Sequence, residues 1–135
     1  MVKQVQSTDV EDAADAANVK GAQDMREIKL RVYAGDVIAM GPGKADLLDA
    51  IADTGSISGA GRALGMSYRR CWELVSIMNA QFVEPLVLSA KGGSNGGGAE
   101  LSPLGIDVLK RYRAMERRAK KAIASDVEHM RSLLR

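Results

Sequence analysis

The chain has 135 residues, 46% hydrophobic and 27% charged, which leaves room for one core plus an appendage and excludes wholesale disorder. Aromatics are only 4% and the apolar content is carried by Ala, Leu, Ile, Val and Met, a balance that favours helices over a β-sandwich. The formal net charge of +2 hides a segregation: residues 1–27 carry three basic and six acidic side chains, whereas residues 101–135 carry nine basic and four acidic.

No apolar run approaches the ~20 residues that cross a bilayer, and the first 24 residues lack the apolar stretch of a signal peptide. The expectation is a cytoplasmic protein with no membrane partner. The single cysteine, Cys71, has no partner for an internal disulfide.

Residues 1–27 combine acidic side chains with Ala, Ser, Asn and Gln, which predicts a disordered acidic arm. From Ile28, the alternation of Ile28, Leu30 and Val32 with Lys29, Arg31 and Tyr33 predicts a short half-buried strand. Ala34-Gly35-Asp36 reads as a turn, and Val37 to Met40 as a second short strand. After Gly41-Pro42-Gly43, Leu47, Leu48, Ile51 and Ala52 share one helical face from Lys44 until Gly55 stops the helix. Ser56 can cap a second, short helix ending at Gly65. Ser67 can cap a third, running from Tyr68 to about Glu84, with Cys71, Leu74, Val75, Met78 and Phe82 on its buried face.

Leu86 to Ala90 and Ala99 to Ser102 follow as a hairpin with a glycine-rich tip. Ser102 and Pro103 then start a helix with nothing to stop it before Arg135 except Gly105 in its first turn. Its stripe of Leu104, Val108, Tyr112, Met115, Ala119, Ile123, Val127, Met130 and Leu134 predicts a dimerisation surface. The domain could cover about the first half of that stripe and would leave the rest facing water.

The most informative segment is Ser56 to Leu74. Small residues at Ala60 and Gly61, a glycine at the bend (Gly65), and apolar anchors at Leu64, Met66, Cys71 and Leu74 match the needs of a helix-turn-helix. The outward end of its second helix carries Ser67, Arg69 and Arg70. Arginine bonds bidentately to guanine in the major groove, and a helix N-terminus attracts phosphate. Helix, helix, helix and hairpin is the order of a winged helix, and Lys91 beside the glycine-rich tip could approach a phosphate.

The expected fold is therefore mainly α with a small β wing: a winged helix-turn-helix over residues 28–102, followed by a long C-terminal dimerisation helix over residues 103–135. The residues expected to meet double-stranded DNA are Ser56, Ser58, Ser67, Tyr68, Arg69, Arg70, Glu73, Ser76, Lys91 and Asn95.

The run Gly55-Ser56-Ile57-Ser58, then Ala60, Gly61, Ala63, Gly65-Met66-Ser67-Tyr68, Trp72, Met78-Asn79, the glycine-rich tip, and Leu101 with Gly105 resembles the N-terminal DNA-binding domain of ModE-type molybdate-responsive regulators. That domain is itself related to the DNA-binding domain of LysR-type regulators. The resemblance covers about residues 28–125. It implies a winged helix that binds palindromic operators as a homodimer, with the helix from Ser67 entering the major groove. Full-length members bind molybdate through C-terminal β-barrel domains, for which no residues follow Arg135 here. Molybdate or another small-molecule effector is therefore not expected on this chain.

Other constellations fall short. Gly43-Lys44 lacks the earlier glycine and the following Ser or Thr of a phosphate-binding loop. The tip glycines lie between strands rather than ahead of a helix, unlike a dinucleotide-binding turn. His129 and Cys71 are too far apart in sequence to suggest a triad or a metal site, and Cys71 lies on an apolar face, where core packing is the expectation. Trp72 is expected to be partly buried. No enzyme, cofactor or metal is indicated. The function expected is a sequence-specific transcription regulator linked to molybdenum, and the alternative is a winged-helix interaction module without specific DNA binding.

Overall fold

The computed structural model describes residues 28–90 and 97–135. These residues are mainly helical, with two small antiparallel sheets of two strands each. Strands β1 (Val32–Ala34) and β2 (Val37–Met40) pair with register Val32↔Met40, Tyr33↔Ile38 and Ala34↔Val37. The expected strand from Ile28 forms only from Val32 onward. Met40, the last residue of β2, already pairs with Val32, so nothing remains opposite residues 28–31. The Leu30 carbonyl instead accepts a hydrogen bond from the Tyr112 hydroxyl at 2.6 Å.

Helix α1 (Pro42–Thr54) starts two residues earlier than expected, with Gly41 as N-cap and proline at the first helical positions, where its missing N–H costs nothing. Its first turn buries a cation, Lys44, whose Nζ donates to the Ile38 carbonyl at 2.8 Å. Gly55 ends α1, its N–H bonding the Ile51 carbonyl at 2.8 Å. Helix α2 (Ile57–Leu64) is capped by Ser56 and closed by Gly65.

Gly65 has φ 68°, the left-handed region that glycine enters without steric cost. A Cβ on Gly61 would lie 2.7 Å from the Met66 carbonyl oxygen, so the turn after α2 packs against a position that must stay bare. Helix α3 (Tyr68–Gln81) is capped by Ser67 and ends at Phe82, short of the expected Glu84. There the chain turns extended and Phe82 packs on the core.

The core is Leu47, Leu48 and Ile51 from α1, Ala60 and Leu64 from α2, Cys71, Leu74, Val75 and Met78 from α3, and Leu86, Val87, Ala99 and Tyr112 from the elements that follow. Each fully buried large aliphatic side chain stabilises the fold by roughly 1.5–3 kcal/mol.

Strands β3 (Val87–Ala90) and β4 (Gly98–Leu101) form the second hairpin, in register from Val87↔Leu101 to Ala90↔Gly98. The hairpin is fastened to the preceding helices at two points. The Asn79 side-chain oxygen accepts from the N–H groups of Leu86 (2.9 Å) and Val87 (3.1 Å), while its nitrogen donates to the Val87 carbonyl (3.0 Å). The Ala99 N–H donates to the Gly55 carbonyl at 2.8 Å.

Helix α4 (Pro103–Ser132) opens with Ser102 as N-cap. The Ser102 hydroxyl accepts from the Gly105 N–H and donates to the Pro85 carbonyl. Gly105 lies so close to Leu86 that a Cβ there would overlap the Leu86 carbonyl. One turn of α4 is also ionically fixed to α1. Arg113 donates to Asp46 at 2.7 Å, to Asp49 at 2.7 Å and to Glu116 at 3.0 Å.

Candidate nucleic-acid interface

The start of α3 projects from the core because only one of its faces is apolar: Cys71, Leu74, Val75 and Met78 point inward, and the residues between them point out. The Ser67 hydroxyl accepts the Arg70 N–H at 3.1 Å, satisfying one of the N–H groups that lack an acceptor in any first turn. Tyr68 is exposed, and the Arg69 side chain is 89% exposed.

Arg69 and Arg70 each lie 3.6 Å from a Glu73 carboxylate oxygen. Such exposed pairs contribute about 0–1 kcal/mol, so either guanidinium can exchange Glu73 for another anion at little cost. The arrangement offers positive charge, a planar donor fork and an aromatic ring at a helix N-terminus, a combination suited to phosphate and to base edges.

Ser56 and Ser58 stand one helix earlier. The Ser56 hydroxyl is occupied as the α2 cap, accepting from the Gly59 N–H at 2.8 Å, and Ser58 accepts from Arg62 Nη1 at 3.1 Å. Ser76 is half-buried two turns along α3. Lys91 and Asn95 lie outside the described residues. Two further exposed residues were not singled out from the sequence as contacts. Arg62 sits in the last turn of α2, and its spacing of four from Ser58 was the available signal. Trp72, expected to be partly buried, is 52% exposed; its position four after Tyr68 places both rings on the outer face of α3.

The expected dimerisation stripe divides. Tyr112 is 2% exposed and its hydroxyl is bonded within its own chain, so it belongs to the core and is removed from the intermolecular set. Leu104 and Val108 likewise pack against their own core. Met115, Ala119 and Val127 are half-buried, whereas Ile123, Met130 and Leu134 are exposed. Leu134 lies beyond the end of α4.

Burial works against the charge of Arg113, but its hydrogen bonds to Asp46, Asp49 and Glu116 outweigh that and hold the guanidinium above its ordinary range. Burial also pushes the Cys71 thiol up, which removes it from consideration as a nucleophile at neutral pH. Among the described residues no group of three or more His, Cys, Asp or Glu side chains is placed to hold a metal ion. No helix of the described residues is long and apolar enough to cross a membrane.

The chain matches no family model. It is similar to the molybdenum-pterin-binding protein MopB of Rhodobacter capsulatus, 43% identical over 86 residues that make up 64% of this chain and 32% of the relative. It is also similar to the molybdenum transport protein ModE of Azotobacter vinelandii, 40% identical over 70 residues, 52% of this chain and 26% of the relative. The DNA-binding transcriptional dual regulator ModE of Escherichia coli strain K12 is 33% identical over 96 residues, 71% of this chain and 37% of the relative. The matched region thus spans about a third of the length of these relatives.

Proposed function

We propose that the chain is a winged helix-turn-helix module that binds a palindromic duplex site as a homodimer and regulates transcription in connection with molybdenum. The observation that carries this reading is the exposed start of α3, where Tyr68, Arg69 and Arg70 stand clear of the core around a capped helix N-terminus. The β3–β4 hairpin takes the place of the wing. Similarity to a regulator named as DNA-binding, and to molybdenum-binding and molybdenum-transport proteins, supports the same assignment. Paired through the distal half of α4, two copies would meet half-sites about one DNA turn, roughly 34 Å, apart or a multiple of it.

Titration of duplex DNA with Arg69→Ala and Arg70→Ala at two salt concentrations tests the reading. An arginine that reads guanine loses roughly 1–3 kcal/mol on replacement and relaxes preference at one base pair. One that meets phosphate weakens all sequences alike and lowers the salt slope by about one. Unchanged affinity in both variants, with the fold intact, would overturn it.

A further inference from the structure

The start of α3 carries apolar surface that a purely electrostatic partner does not call for. Tyr68 and Trp72 are 57% and 52% exposed, while Cys71, Leu74, Val75 and Met78 supply the buried face of the same helix. Four residues apart on a helix, the two aromatic residues stand one turn from each other, with β carbons about 5–6 Å apart. Arg69 and Arg70 lie between them in the sequence and are exposed as well. Two open rings and two guanidinium groups thus share one end of α3.

A polyanion that also offers apolar groups fits this combination. In the major groove of duplex DNA the C5 methyl of thymine is the apolar group on the base edges, and the groove, about 12 Å wide, admits a helix. Unpaired bases are taken up by grooves that track the strand, whereas these rings project from the convex side of a helix. Resting on the reading of this end of α3 as the surface that meets duplex DNA, we propose that Trp72 and Tyr68 select thymine by packing their rings against C5 methyl groups of neighbouring base pairs. Arg69 and Arg70 supply the charge beside them. At about 3.4 Å per base pair, the spacing of the two β carbons spans roughly two base steps. The thymines read in this way should therefore lie within about two steps of each other.

The test begins with the parent chain and a pool of random-sequence duplexes. In the duplex that is enriched, each thymine is exchanged in turn for deoxyuridine, which removes only the methyl group. Exchange at the positions read by the rings should weaken the parent about fourfold, the worth of one buried methyl group, and exchange elsewhere should leave affinity unchanged. In Trp72→Ala the loss at one of those positions should disappear, whereas Trp72→Phe should keep part of it. A tryptophan that only shapes the helix would weaken every duplex alike and leave the loss in place, and that result would overturn the proposal. So would a parent that binds its duplex but ignores every exchange, an enriched sequence without thymine, or tighter binding to the separated strands than to the duplex. Because the exchanges are made in the DNA, the response of the parent decides the matter even where a variant folds poorly. A parent that enriches no duplex at all overturns instead the DNA-binding reading, and this inference with it.

Discussion

The two halves of α4 share an apolar spacing and differ in almost everything else. In the first half Gly105, Tyr112 and Glu116 are buried, each by a definite neighbour: the Leu86 backbone, the Leu30 carbonyl and the Arg113 guanidinium. From Lys121 onward every residue but the half-buried Val127 is exposed. The period of a stripe records that a face is built to be covered, and only tertiary structure reveals whether the cover comes from the same chain. Leu104, Val108 and Tyr112 looked like the start of an interface because they continue the same line as Ile123 and Met130.

The sharpest way to break this contrast is at Arg113. It holds three carboxylates, and the side chains of Asp46 and Glu116 are only 5% and 7% exposed, so its removal leaves buried negative charge without compensation. Arg113→Ala should destabilise the fold by about 3–5 kcal/mol, the usual consequence of breaking a buried pair from one side, as read from urea unfolding. A loss within measurement error would show that water reaches the carboxylates.

A smaller effect is expected at Tyr112. Tyr112→Phe keeps the ring in the core but leaves the Leu30 carbonyl without its donor, at a cost of about 1–3 kcal/mol. Amide exchange should then quicken for residues 28–34 before it quickens elsewhere.

The distal half should respond in the opposite way. Ile123→Asp with Met130→Asp changes two exposed positions and should cost the chain's own fold less than about 1 kcal/mol, within the range of helix propensity. If pairing runs through this stripe, the unfolding midpoint of the parent rises with protein concentration and that of the variant does not. A variant that still sediments as a dimer places the interface elsewhere.

Much of this architecture was legible in order and type. Capping serines at positions 56, 67 and 102 and stop glycines at 55 and 65 mark helix ends by local chemistry, and local chemistry survives folding. The exceptions were set by distant partners. Alternation from Ile28 implied a ladder, but a ladder needs a strand opposite, and β2 ends at Met40. The burial of Lys44 and Asp46 was not legible, because their positions near the start of a helix say nothing about the Ile38 carbonyl or about Arg113, 67 residues further along from Asp46. At the candidate interface the exposed start of α3 could be foreseen from its capping serine and its inward-facing Cys71 and Leu74. The side on which Trp72 is open could not, since a tryptophan four residues after a tyrosine fits a core face equally well.

Asn79 has a mechanical consequence. A side chain with three hydrogen bonds to consecutive backbone groups of the Leu86–Val87 segment works as a strut, tying α3 to β3 in place of a continuous sheet. Rotating α3 about its axis, or sliding it by a fraction of a turn, would break all three bonds together. The hairpin and the exposed end of α3 therefore move as one rigid jaw, and whatever surface α3 settles on meets the hairpin at an offset set in advance.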